Sequence, residues 1–378
     1  MKELVFETKL IEYLSTGRVV ENNEVEEDLI DFLPSQKKWT YRPDIRTTDA
    51  LWQNFKEILE QHNQSELGYR PMTVTEFAQV KKVISDLHTP YQAGQFLYGM
   101  NGTAQIEIDL DDGKHVYLTI FKQDAVGADD TVYQVVNQIE RPAIITGKKD
   151  RRFDTTLLIN GLPIVQIEEK KDTIDVNAAL NQMKEYIDEK QYGDIFSTLQ
   201  ILVGITPNNV KYMANTPSER FNKDFAFNWQ VKEEDDRGVS RYRTVRQWKE
   251  FARRFLSIPM AHQMATSFMI LDGTKTKETL KVMRPYQVEA TRKVIEALKR
   301  TDFELGTNKL GYIWHTTGSG KTITSFKTAW LASRLPNVDK VVFLVDRVNL
   351  TNQTRDEYRA YDPEHIEDNI EGESALGS

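Results

Sequence analysis

The stretch at residues 153–171, FDTTLLINGLPIVQIEEKK, constrains the fold more than any other part of the chain. Residues 155–159 and 162–167 are apolar and β-branched, and Asn160-Gly161 between them is a strong hairpin signal. Asp154 begins the first strand. Glu168 and Lys170 end the second, two apart, so their side chains share one face. A strict two-residue turn pairs residue 159 with 162 and sets Asp154 opposite Ile167, on the face away from Glu168 and Lys170. An odd loop or a bulge restores a shared face, and a type I turn ending with Gly161 in the left-handed conformation is the expected form. Two carboxylates and an ammonium on one strand end suit Mg²⁺-dependent phosphodiester hydrolysis. The acids hold a hard cation through oxygen, and the lysine meets developing charge. From the spacing alone, a solvated strand end explains D…ExK at least as well.

The remaining composition narrows the class. A chain of 378 residues predicts two to three domains. The net charge is −8, so a nucleic-acid partner needs a locally basic surface. There is no cysteine, which excludes disulfides, thiolate metal sites and a thiol nucleophile. No apolar run approaches ~18 residues, and MKELVFETKLIEYL lacks the apolar core of a signal peptide. A cytoplasmic enzyme or enzyme subunit, without a membrane segment, is the expectation.

Residues 1–35 read as helical. In NNEVEEDLIDFLP, Val25, Leu29, Ile30, Phe32 and Leu33 form an apolar stripe, with Glu26 at its edge and Pro34 as the stop. As a first-turn acid, Glu26 equally favours the helix dipole. Helices are predicted over 51–60, 75–87 (ending near Pro90), 178–191 and 244–255, the last one basic. Strands are predicted over 103–110, 115–121, 132–139, 198–205 and 210–213. Gln182 and Tyr186, four apart on their helix, are neighbours that can lie beside the hairpin's charged end. A surface glutamine and a half-buried tyrosine are the bland alternative.

From Lys281 the pattern changes. Residues 284–287, RPYQ, open a helix. Residues 311–314 read as a short strand, followed by HTTGSGKT (315–322), a helix over 323–333, and VVFLV (341–345) as a buried strand of parallel-sheet type. Strand, GSGKT turn and helix form a phosphate cradle. Backbone N–H groups of Thr317, Gly318, Ser319 and Gly320 surround the β-phosphate, Lys321 reaches the β/γ-phosphates and Thr322 ligates Mg²⁺. His315 stands where the generic pattern has glycine.

Together these pieces resemble the restriction (R) subunit of type I restriction–modification enzymes, the HsdR family, from roughly Glu26 onward. The 153–171 stretch is similar to the family's D…NG-P-V-IE-K nuclease motif, and Asp154, Glu168 and Lys170 match its PD-(D/E)xK set. Glu169 fills the x position, where the family often has leucine. Glu26 resembles the early helix acid, with Glu27 as the competing alignment, and Gln182 and Tyr186 match a QxxxY element. MRPYQ and GYIWHTTGSGKT are similar to the adenine-reading glutamine motif, with Gln287 as the reader, and the Walker A of a superfamily 2 motor. VVFLVDR looks like its motif Ia.

The resemblance implies an α/β chain: a PD-(D/E)xK nuclease domain over 1–230, with a mixed sheet flanked by helices; transition helices over 231–280; and an incomplete first RecA-like lobe with a parallel sheet over 281–378. An Asp-Glu box, a second lobe and a helical tail do not appear before Ser378, so an N-terminal fragment is expected. The implied cofactors are Mg²⁺ at Asp154, Glu168 and Glu26 and at Thr322, and ATP. The implied partners are double-stranded DNA and the methyltransferase (M) and specificity (S) subunits. The implied activity is ATP-dependent endonucleolytic cleavage. Two competing readings are a superfamily 2 helicase or remodeller whose N-terminal domain only binds DNA, and an interaction module with vestigial sites.

Overall fold

In the computed structural model, a mixed sheet carries the 153–171 hairpin at its centre; the residues described are 2–21, 24–26, 37–235, 237–300, 311–344, 348–362 and 366. The chain divides into two compact units. One comprises residues 1–269 and 280–285, the other 270–279 and 286–378.

In the first unit, helix α1 (Glu3–Thr16) buries Phe6, Leu10, Ile11 and Leu14 at helical spacing. It stops at Gly17, whose φ of 78° is left-handed. At residues 24–26 the chain is extended, not helical as expected. β1 (Val19–Glu21) and β2 (Glu24–Glu26) pair antiparallel instead, with Val19 opposite Glu26. Gly17 ends the helical phase, and the β-branched Val19, Val20 and Val25 favour extension beyond it. Glu27 and residues 28–36 lie outside the described residues.

β3 (Thr40–Tyr41) is followed by α2 (Thr48–His62), capped by Thr47, and α3 (Val74–Ser85), with a Thr73/Glu76 capping box. Pro90, expected as a stop, opens a further helix. Thr89 and Gln92 make a second capping box, and Pro90 is the first residue of α4 (Pro90–Tyr98), where its missing N–H costs nothing. β4 (Thr103–Asp109) and β5 (His115–Lys122) form the predicted hairpin.

The main sheet has six strands in the order β10-β9-β8-β7-β6-β3. They are β6 (Tyr133–Arg141), β7 (Arg151–Ile159), β8 (Leu162–Glu169), β9 (Ile201–Thr206) and β10 (Asn209–Ala214), with β3 at the far edge. β8 runs parallel to β9 and β3 parallel to β6; the other neighbours are antiparallel. β8 and β9 are buried along their whole length, as their near-continuous apolar sequences require. The β8–β9 crossover carries α5 (Asn177–Asp188), which packs on Gly204. A Cβ on Gly204 would meet Ala179 at 3.2 Å and Leu180 at 3.3 Å, so the absent side chain sets the helix–sheet spacing.

Beyond the sheet, β11 (Gln230–Glu234) and β12 (Ser240–Thr244) pair antiparallel. The basic helix is shorter than expected, because Thr244 is the last residue of β12; α6 spans Trp248–Arg254. α7 (Ile258–Ala265), β13 (Met269–Asp272) and β14 (Thr279–Val282) follow.

The second unit contains α8 (Pro285–Arg300), α9 (Lys321–Ala332) and α10 (Val348–Tyr361). Phe326 of α9 and Tyr358 of α10 are the core of their contact, with ring centroids 5.3 Å apart. Neither 311–314 nor 341–344 forms a strand, contrary to expectation, and Val345, Asp346 and Arg347 lie outside the described residues. A parallel strand needs laddered neighbours, and no described residue supplies a ladder to either segment. Tyr312, Trp314 and Leu344 are correspondingly exposed.

Candidate active site

The hairpin achieves its shared face by a bulge. Asn160 (φ 51°) and Gly161 (φ 79°) are both left-handed, the signature of a two-residue type I′ turn. Ile159 pairs with Leu162 and Leu158 with Pro163, but Leu157 pairs with Val165. Ile164 is therefore the extra residue, and one step beyond the Thr155–Ile167 pair Asp154 falls opposite Glu168. The expected odd count is present in β8, not in the turn. One hydrogen bond and one close approach fit the turn in this form. Asn160 accepts from the Val132 N–H at 2.9 Å, and a Cβ on Gly161 would lie 2.9 Å from Phe55 Cα.

At the strand ends, Lys170 Nζ donates to Glu168 Oε1 at 3.0 Å and to the Glu169 carbonyl at 2.8 Å, and stands 4.0 Å from Asp154 Oδ2. The Glu169 N–H donates to Asp154 Oδ2 at 3.0 Å. Glu168 is fully buried, and its Oε2 receives no donor among the described residues. Burial pushes its pKa well above the ordinary value, and Asp154 beside it adds to the rise. Burial also raises Asp154, opposed by Lys170. For Lys170, burial works against the ammonium, but Glu168 and Asp154 outweigh it and hold its pKa above that of a free lysine. Burial thus disfavours the charged form of the carboxyls, while the carboxylates favour the charged form of the lysine.

Two further acids adjoin Asp154. Glu7 of α1, also buried, accepts from the amides of Asn137 and Gln138 in β6. Gln138 has a φ of 56° and lies across from Asp154, between the Asn137–Thr155 and Ile139–Phe153 pairs. Burial raises the Glu7 pKa, and Asp154 contributes. Glu169 is wholly buried as well, with both carboxylate oxygens lacking a donor among the described residues; burial first, then Asp154 and Glu7, raises its pKa well above normal. The helix acid beside this cluster is thus Glu7. Glu26 ends strand β2 and is not on a helix. The sequence carries a signal for Glu7: it sits three and four residues before Leu10 and Ile11, inside the apolar stripe of α1.

Gln182 and Tyr186 come together as their spacing predicts, the Gln182 amide donating to the Tyr186 hydroxyl. Tyr186 is buried against Phe153, ring centroids 5.0 Å apart, and burial followed by Glu168 pushes its pKa upward. The neighbouring Tyr192 hydroxyl is buried without a partner among the described residues.

No group of three or more acids or histidines among the described residues forms a ready metal cage. Even so, the donor set fits a hard divalent cation. An undonated Glu168 oxygen and the Asp154 carboxylate face one another beneath a charged lysine, and oxygen ligands are what Mg²⁺ prefers.

In the second unit, Gly318 and Gly320 (each φ 77°) shape the GSGKT loop, and α9 starts at Lys321. Lys321 Nζ turns back to the Thr316 carbonyl at 3.1 Å. The buried Gln287 donates to the Ser319 carbonyl at 3.0 Å, and the Tyr286 hydroxyl donates to the same carbonyl at 2.8 Å. His315 packs edge-on against Tyr286, 5.5 Å between centroids. Thr317, Gly318 and Lys321 are exposed at the helix N-terminus, where N–H groups suit an anion.

Two protein-family models match the chain. Residues 20–221 match the family model for the type I restriction enzyme R protein N terminus, and residues 280–376 match that for the res subunit of type III restriction enzymes. The chain belongs to the type I restriction enzyme R protein family. A type I restriction enzyme endonuclease subunit of Staphylococcus aureus is 34% identical over 320 residues, covering 85% of this chain and 31% of the relative. One from Staphylococcus saprophyticus is 34% identical over 317 residues, covering 84% and 31%. The EcoprrI endonuclease subunit of Escherichia coli is 27% identical over 301 residues, covering 77% and 86%. The chain therefore spans about a third of the length of its staphylococcal relatives. No described helix is long and apolar enough to cross a membrane.

Proposed function

We propose that this chain is the DNA-cleaving and ATP-dependent translocating part of a type I restriction endonuclease. In this reading residues 1–230 form a PD-(D/E)xK nuclease domain, 231–280 a transition and 281–378 the first RecA-like lobe of a superfamily 2 motor. The single observation carrying it is the buried convergence of Asp154, Glu168 and Lys170, with Lys170 3.0 Å from Glu168. Double-stranded DNA is the substrate, methyltransferase and specificity subunits supply recognition, and the cytoplasm is the working compartment.

Asp154 and Glu168 would hold Mg²⁺ with a backbone carbonyl nearby; bound there, the ion supplies a polarised phosphoryl oxygen and an activated water. Lys170, kept charged by its two carboxylates, stabilises charge developing on the phosphate. Glu7 takes the helix-acid role that the sequence suggested for Glu26. Tyr186 and Gln182 fix one side of the site through their mutual hydrogen bond. In the second unit, Gln287 reads adenine, the Thr317–Gly318–Ser319–Gly320 backbone cradles phosphates, Lys321 reaches the β/γ-phosphates and Thr322 meets the Mg²⁺ of bound ATP.

Nicking of supercoiled plasmid with Mg²⁺ tests the reading. The chain should nick, and Asp154→Asn and Glu168→Gln should not. Duplex binding retained by all three proteins, with no nicking by any, would instead favour a remodeller with a non-catalytic N-terminal domain.

A further inference from the structure

An ammonium has three donors, and all three on Lys170 are taken. Two go to its own strand, to Glu168 Oε1 at 3.0 Å and the Glu169 carbonyl at 2.8 Å. The third goes to Glu3 Oε1 at 3.1 Å, from the first turn of α1. The strand partners are fixed by the β8 backbone and by burial. Glu3 is not fixed in this way: its side chain is 44% exposed, against 12% for Lys170. A first-turn acid has a dipole reason to be there, but that reason does not require contact with a lysine. The contact presents an anionic oxygen to the solvent side of Lys170, which is the chemistry of a phosphodiester oxygen.

We propose that Glu3 is a placeholder that occupies, in the free protein, the place beside Lys170 that a DNA phosphate oxygen takes on binding. This rests on the nuclease reading above. Glu3 fills the third donor position of a lysine that already bonds Glu168 and the Glu169 carbonyl. An incoming phosphate displaces the Glu3 carboxylate, which moves into solvent. The proposal involves no bond-making step, only exchange of one acceptor for another on the same donor.

The test is anisotropy of a labelled short duplex with Ca²⁺ in place of Mg²⁺, on the full chain, alongside cleavage kinetics in Mg²⁺. Glu3→Gln removes the competing charge at constant size. It should tighten duplex binding about two- to fivefold, the upper range of one exposed charge pair, and lower KM while leaving kcat within about twofold. The gain should vanish in a Lys170→Met background. Because that variant leaves buried acids uncompensated and can misfold, Glu12→Gln serves as a second control: the same charge change on the same helix, expected to give no gain. An equal gain in Glu12→Gln or in Lys170→Met would mean general charge loss and overturn the proposal. A fall in kcat for Glu3→Gln would make Glu3 an obligatory anchor and also overturn it. If Asp154→Asn and Glu168→Gln lose cleavage while Glu3→Gln matches the wild type throughout, the Glu3 proposal alone fails. If those two variants cleave like the wild type, the nuclease reading fails and the Glu3 proposal falls with it.

Discussion

The strand-end cluster and the phosphate loop solve opposite problems. Asp154, Glu168, Glu169, Glu7 and Lys170 are charged groups gathered into a packed interior, where geometry is fixed by a six-stranded sheet and each carboxyl carries a desolvation cost. The GSGKT loop is an exposed turn whose lysine rests on a carbonyl, steadied by Tyr286 and Gln287. The first is rigid and electrostatically strained without a cation. The second is unstrained and open. A ligand should therefore stabilise the first by neutralising buried charge, and the second by ordering a surface loop.

The largest effect that sharpens this contrast is on cleavage. Asp154→Asn keeps the hydrogen bond from the Glu169 N–H but loses the charge opposite Glu168. Plasmid nicking should drop by about a thousandfold or more, the scale of removing one electrostatic partner of a reacting centre, while nucleotide binding is unchanged. Lys321→Ala should do the reverse, weakening a fluorescent ATP analogue by about thirtyfold for one lost charge-assisted contact and leaving Mg²⁺-dependent nicking of relaxed substrate intact. Matching losses in both assays from either variant would erase the distinction between the regions.

Smaller effects concern stability. Gly161→Ala places a Cβ 2.9 Å from Phe55 Cα at a φ of 79°. It should cost about 2 kcal/mol in chemical denaturation, and nicking should fall with it because the same turn sets the bulge register. Smallest is Glu169→Gln. Burial raises the folded pKa values of Glu168 and Glu169 above the unfolded value of 4.5. Their contribution is thus fully present below about 4.5 and is lost as pH rises through the folded values. Without metal, the protein should lose stability as pH rises above about 4.5. Glu169→Gln, which mimics the neutral acid, should flatten that slope and add about 1 kcal/mol at neutral pH by thermal melting. An unchanged slope would mean that Glu169 is ionised in the folded protein.

These residues also mark how far the sequence reaches. The hairpin, its need for an odd residue and the meeting of Gln182 with Tyr186 follow from alternation and helical spacing. The bulge position does not, because Ile164 is as apolar as its neighbours and any of them could be the extra residue. The apolar stripe and Pro34 frame Glu26 as a helix acid, but Gly17 ends α1 and returns the chain to extended form before it. Glu7 was legible as an acid within an apolar stripe. Pro90 reads equally as a stop and as a first helical residue, and only the Thr89/Gln92 box decides. The apolar runs at 311–314 and 341–344 satisfy every strand criterion except the one that sequence does not carry, the presence of neighbours.

The most direct test of the account is calorimetric titration of Mn²⁺ into the chain at neutral pH, beside Asp154→Ala and Glu168→Ala. The account predicts one site in the wild type, with proton release as Glu168 ionises, and no such site in either variant. Equal binding by all three proteins would locate the cation away from the hairpin and contradict the assignment of Asp154 and Glu168.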